Sequence, residues 1–131
     1  MPRPNWIDDV VSIPDGSPLW RGIVVPDQIR RLADGNEVPA LGALISHEVS
    51  VSIGSETTQE AVLQKGQARG VNWRLWEFTA GTARAAGCIV DRDPQADDPA
   101  HAVVLRADQP GRRLREAQAK NLITRGRWAG P

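Results

Sequence analysis

The sequence is short of the side chains that build covalent and metal staples. Its 131 residues include one cysteine, Cys88, and two histidines, His47 and His101. An intramolecular disulfide is therefore excluded, and Cys and His alone cannot assemble a structural zinc site. No metal is expected. Charge of one sign is also lacking: sixteen Lys and Arg balance sixteen Asp and Glu, which argues against wholesale attraction to nucleic acid or to an anionic membrane. No apolar run approaches the ~18 residues of a membrane span, and the start MPRPNWIDD lacks the basic-then-apolar order of a secretory signal. A cytoplasmic location is the expectation, with neither membrane nor nucleic acid as a partner.

What is present is the composition of an ordinary globular protein, 40% hydrophobic and 24% charged. Roughly 100–200 residues make one domain, so residues 1–131 read as a single domain. Pro2, Pro4, Pro14 and Pro18 each fix φ and remove an N–H donor, so residues 1–18 read as an irregular lead-in. Its Trp6, Ile7, Val10, Val11 and Ile13 can pack back on the domain.

Leu19 to Val25 is a short apolar run enclosing Arg21, a strand by length and composition. Asp27 can cap a short helix over Gln28 to Ala33, with Gly35 as its stop. Glu48 to Ile53 alternates, placing Val49, Val51 and Ile53 on one face and Glu48, Ser50 and Ser52 on the other. Ser55 then opens a helix of about three turns ending near Gly66.

Val71 to Phe78 alternates again as a strand, and the two aromatics on its more polar face imply that this face is covered or offered to a partner. Cys88–Val90 and Ala102–Leu105 pair economically as a hairpin across an exposed acidic connection from Asp91 to Pro99, with His101 at the exposed strand entrance. Leu114 to Ile123 reads either as a helix or as a loop leading into a strand at Asn121–Ile123. Together these elements describe an α+β fold: a mostly antiparallel, twisted sheet of about six strands with two or three short helices.

Few constellations carry chemistry. Cys88 lies in an apolar strand and reads as a buried, inert thiol. Asp91, Asp93, Asp97 and Asp98 match a calcium loop in composition but lack its glycine turn and terminal glutamate. No glycine-rich phosphate loop occurs. Three features stand in chain order: Arg21 inside the strand LWRGI, the serine pair of SVS at Ser50 and Ser52 on a strand that feeds a helix, and a late basic segment ending LITRGRW.

In these three features, over roughly Leu19 to Trp128, the chain resembles the ADP-ribosyltransferase fold, a split sheet that binds nicotinamide adenine dinucleotide (NAD). The resemblance implies NAD as cofactor and transfer of ADP-ribose to an unidentified acceptor. It implies that Arg21, with Gly22 beside it, contacts the phosphates or ribose, that Ser50 supports the nicotinamide pocket, and that Ser52 orders the strand. A guanidinium fork suits a pyrophosphate. The other readings of these residues are that Arg21 pairs with an internal acid such as Asp27 or Glu48 or lies on an exposed face, and that the serines face solvent.

The family's third motif requires a glutamate facing the positive charge that grows on the sugar. The matching stretch here is Gln118-Ala119-Lys120, where a lysine stands in place of the acid. Three readings stay open: Glu116 serves as the catalytic acid with Gln118 in the site, the domain binds without transferring, or the segment is a plain helix.

Charge distribution suggests a different role. Residues 1–60 carry four basic and nine acidic side chains, whereas residues 103–131 carry seven basic (Arg106, Arg112, Arg113, Arg115, Lys120, Arg125, Arg127) and two acidic. Such halves suit docking to a protein partner or to a second copy of the chain, as does an exposed Trp73/Trp76 strand. Neutralisation within the chain is the simpler use of the same charges.

Overall fold

The computed structural model describes residues 6–130; Pro2 and Pro4 of the lead-in lie outside them. The chain runs β1 (Pro18–Val24), β2 (Ile29–Arg31), β3 (Glu37–Pro39), a 3-10 turn (Leu41–Leu44), β4 (Val49–Ile53), α1 (Gln59–Ala68), β5 (Trp73–Thr79), α2 (Ala80–Ala85), β6 (Cys88–Arg92), β7 (His101–Arg106), α3 (Glu116–Thr124) and β8 (Arg127–Trp128). Six strands form one sheet in the order β6-β7-β4-β1-β5-β8, while β2 and β3 form a separate hairpin. Every neighbouring pair is antiparallel. The fold is α+β, as the patterning implies.

The two faces of the sheet are covered differently. Leu19, Ile23, Val49, Val51, Ile53, Trp76 and Phe78 point to one face, where α2, α3, the 3-10 turn and Ile13 close a large apolar core. Trp20 and Leu75 point to the other, against Val62 of α1 and the partly buried Trp73. Trp73 lies between sheet and helix. A Cβ added to Gly22 would fall 2.4 Å from its ring, and one added to Gly66 would fall 2.7 Å from it. Gly66 therefore sits inside α1 for the sake of this contact and does not end the helix.

Helix α1 begins later than Ser55. Thr58 is the cap, accepting a hydrogen bond from Ala61 N. The helix ends in a Schellman closure: Val71 N donates to Gly66 O and Gly70 N to Gln67 O, with Gly70 at φ +79°. That positive φ is why a glycine stands there.

Residues 28–33 are not helical. Ile29–Arg31 pairs with Glu37–Pro39 around a turn in which Gly35 N donates to Leu32 O and Asn36 N donates to Asp34 Oδ1. Asp34-Gly35, with Gly35 at φ +89°, is a hairpin turn, and the pairing across it outweighs the weak helical spacing of Ile29 and Leu32. The segment from Leu114 to Ile123 resolves as helix from Glu116 onward: Asn121–Ile123 lies within α3, and the strand that follows is Arg127–Trp128. Gln118 supports the first turn by accepting from Arg115 N at 2.9 Å.

In the lead-in, Ile13 is fully buried, whereas Ile7, Val10 and Val11 are exposed. The segment is held by polar contacts instead. Asp9 N donates to Val90 O, Asp8 pairs with Arg84 at 2.9 Å, and Arg92 donates from Nε to Ser12 Oγ and from Nη2 to Ser12 O. No helix among the described residues is long and apolar enough to cross a membrane.

Candidate functional site

A hollow of about 180 Å³ opens between α1 and the sheet, lined by β1 (Trp20 to Gly22), β4 (Ser50 to Ser52), Trp73, His101 and the helix residues Val62, Lys65 and Arg69. Four of the residues singled out from sequence, Arg21, Gly22, Ser50 and Ser52, therefore meet at one place. Their side chains do not all meet there.

Register decides which do. Trp20 is the cross-strand partner of Ser52, so their side chains share a face with Ser50, two residues away, and with the hollow. Arg21 is partnered by Trp76, whose side chain lies in the apolar core on the opposite face. Its guanidinium is occupied there: Nε and Nη2 donate to Ala43 O at 3.2 and 3.1 Å, and Nη1 donates to Ser50 O at 3.1 Å. Neither Asp27 nor Glu48 pairs with it among the described residues. Burial without a carboxylate lowers the Arg21 pKa. Arg21 thus ties the 3-10 turn to β4 and does not offer a fork to a ligand beside the serine hydroxyls.

The wall of the hollow carries a buried polar network. Asp98 is buried, and its Oδ2 accepts from Ser52 Oγ at 2.6 Å and from Lys65 Nζ at 2.8 Å, while its Oδ1 accepts from Ala100 N at 3.1 Å. The Lys65 side chain is 7% exposed. Arg69, at the end of α1, pairs with Asp97 at 2.8 Å. The β6–β7 connection is therefore latched to α1 by two ion pairs, and the acidic stretch read as solvated is partly internal. Ser52 is buried by the same network. Both corrections arise from Lys65, whose ammonium can be buried only with an anion against it.

His101 is 3% exposed, contrary to the exposed position its sequence context suggests. Its Nδ1 lies 2.8 Å from Asp93 O. A carbonyl can only accept, so Nδ1 carries the proton and Nε2 is a lone-pair acceptor. Burial pulls the His101 pKa down, with Lys65 adding to the effect against Asp93 and Asp98, which keeps the ring neutral. No buried side-chain N or O atom among the described residues lacks a hydrogen-bond partner, yet Nε2 has none, so it is open to the hollow that His101 lines. Ser50 Oγ likewise has no partner among the described residues. These two atoms are the unused polar capacity of the wall.

The remaining predicted residues lie elsewhere. Glu116 opens α3, on the far face of the sheet, with its side chain 65% exposed and Lys120 Nζ 3.9 Å away. Gln118 is buried, donating to Gly87 O at 3.1 Å. Neither joins the hollow. Trp76 is buried, its Nε1 donating to Leu122 O at 3.0 Å and its ring meeting Trp128 edge-on at 4.8 Å, so β5 does not present a Trp73/Trp76 surface. Cys88 is buried, with its thiol pKa pushed up to about 12, where no useful thiolate exists near neutrality.

Acids of the N-terminal half are largely engaged within the chain: Asp8 and Asp15 by Arg84, Glu56 by Arg92, and Glu37 by Arg31 and Arg74. No group of three or more His, Cys, Asp or Glu side chains gathers as a metal site among the described residues. Comparison with protein-family models, with curated proteins and with solved structures finds no match to this chain.

Proposed function

We propose that this domain is a binding module that seats the neutral amide end of a nicotinamide dinucleotide in the hollow under α1, without transferring ADP-ribose. The resemblance in the sequence supplies the dinucleotide; the geometry favours one end of it. The observation that carries the reading is the mismatch within the wall. Lys65 and Arg69 are already paired with Asp98 and Asp97, while Ser50 Oγ and the neutral His101 Nε2 are uncommitted. Such a wall suits a neutral group that both donates and accepts, flanked by the indoles of Trp20 and Trp73. A pyrophosphate needs uncommitted cations.

Size points the same way. About 180 Å³ is well below the ~300–1,000 Å³ of sites that enclose whole drug-sized ligands, but it suits one aromatic amide ring. Transfer requires an anion facing the developing sugar cation. The carboxylate on the wall, Asp98, is saturated by three donors, and Glu116 stands on the other face.

Thermal unfolding tests the reading. Millimolar NAD and nicotinamide should each raise the midpoint by several degrees through mass action, whereas ADP-ribose, which keeps the pyrophosphate but lacks the amide ring, should not. Ser50→Leu, which fills the hollow, should abolish the response, and Glu116→Gln should leave it intact. Equal stabilisation by ADP-ribose, or none by NAD and nicotinamide, overturns the reading.

A further inference from the structure

A second and larger hollow, about 460 Å³, lies on the opposite face of the sheet, between the β2–β3 hairpin and the end of α3. Its character is the reverse of the first. Leu32, Val38, Pro39 and Leu41 form one side, Ile123 the other, and Trp76 the floor. The floor is rigid, because the Trp76 indole is fixed by its bond to Leu122 O and a Cβ on Gly126 would strike it at 2.3 Å. Leu32, Val38, Leu41 and Ile123 keep partial exposure, so the hollow is open to a ligand.

The charges at this site are of one sign. Arg30 and Lys120 line the hollow and no acidic residue does. Arg30 has no ion-pair partner among the described residues, in contrast to its neighbour Arg31, which pairs with Glu37. Lys120 has only an exposed contact with Glu116 at the outer limit of an ion pair, a contact that contributes little in water. An apolar chamber of this size with two available cations asks for a ligand having an apolar body and one anionic end.

We propose that this hollow is a binding site for amphipathic monocarboxylates, aliphatic or aryl acids whose tail lies on Trp76 and whose carboxylate meets Arg30 and Lys120. It is separate from the hollow under α1 and stands whether or not that one takes an amide.

Titration with sodium octanoate, followed by the indole N–H signals of the ¹⁵N-labelled protein, tests it. The Trp76 signal should move in a saturable way, with the Trp20 and Trp73 signals unmoved. Arg30→Gln/Lys120→Gln, both exposed changes that spare the core, should weaken octanoate about five- to tenfold by removing two surface-type charge contacts and leave 1-octanol unaffected. Saturation at Trp76 with no loss in the double variant overturns the proposal, as does movement confined to Trp20 and Trp73 or none at millimolar octanoate.

Discussion

The two faces of this sheet solve the same burial problem by different means. Against α2 and α3 the strands present Leu19, Ile23, Ile53 and Phe78 to a continuous apolar core, which needs only volume and shape to match. Against α1 the apolar cluster is smaller, with Trp20, Val62 and Leu75 at its centre and Leu63 and Trp73 packed on it, and beside it a buried ion pair with its hydrogen bonds ties α1 to the β6–β7 connection. Directional bonds fail all at once when one member is removed, whereas packing degrades by increments. The α1 face should therefore be the more sensitive to single polar substitutions, although it buries less hydrocarbon.

The strongest way to break this contrast is Lys65→Met, which keeps the length of the aliphatic stem but leaves Asp98 buried without its cation. Removing one partner of a buried pair costs about 3–5 kcal/mol, and urea unfolding should read a loss of that order. A loss below about 1 kcal/mol, the level of an exposed pair, would erase the distinction between the faces.

Next comes Arg21→Leu, a polar brace on the otherwise apolar face. It deprives Ala43 O and Ser50 O of their donors, at about 1–3 kcal/mol for each buried acceptor left unpaired. Stability should fall while the response to NAD persists in the folded fraction; intact stability with lost ligand response would restore Arg21 as a ligand contact.

The smallest effect is one of pH. His101 titrates below its ordinary value in the native state, so between pH 6.5 and 5 the unfolded chain takes up a proton that the native chain resists. Stability should thus be fully present above pH 6.5 and decline as pH falls through that window. The carboxylates held low by their partners, Asp9, Glu56, Asp97 and Asp108, act only nearer pH 4 and leave the window clear. His101→Gln should flatten the slope between pH 7 and 5 in thermal scans, whatever its effect on the midpoint; an unchanged slope would mean that the ring is not held neutral.

What could be read in the sequence was governed by period. The alternation in Val49–Ile53 and Trp73–Phe78 reports which residues share a face, and the β6–β7 hairpin follows from two apolar runs. Parity in LWRGIVV already separates Arg21 from Trp20 and Gly22. Only the pairing of Trp20 with Ser52 then shows that the serine hydroxyls lie on the side Arg21 leaves. That pairing joins residues 32 apart in the chain, and no local pattern encodes it. The burial of Asp98 was equally hidden, because it answers Lys65 across the hollow, a lysine that nothing in its own helix marks as internal, and that of His101 because it follows from the pairing of β7 with Ser52 of β4. Residues 28–33 misled for a simpler reason: over six residues an i, i+3 apolar pair cannot be told from a short strand, and Asp34-Gly35 was the stronger signal.

The seating of Trp73 carries an evolutionary consequence. With hydrogen as the only substituent tolerated at positions 22 and 66 while an indole occupies position 73, these three sites form one sterically coupled unit spread over two strands and a helix. Descendants that trade the tryptophan for a smaller side chain release both glycines from selection, so the three positions should drift together or not at all. That joint signature would mark kin of this chain by three positions far apart in sequence.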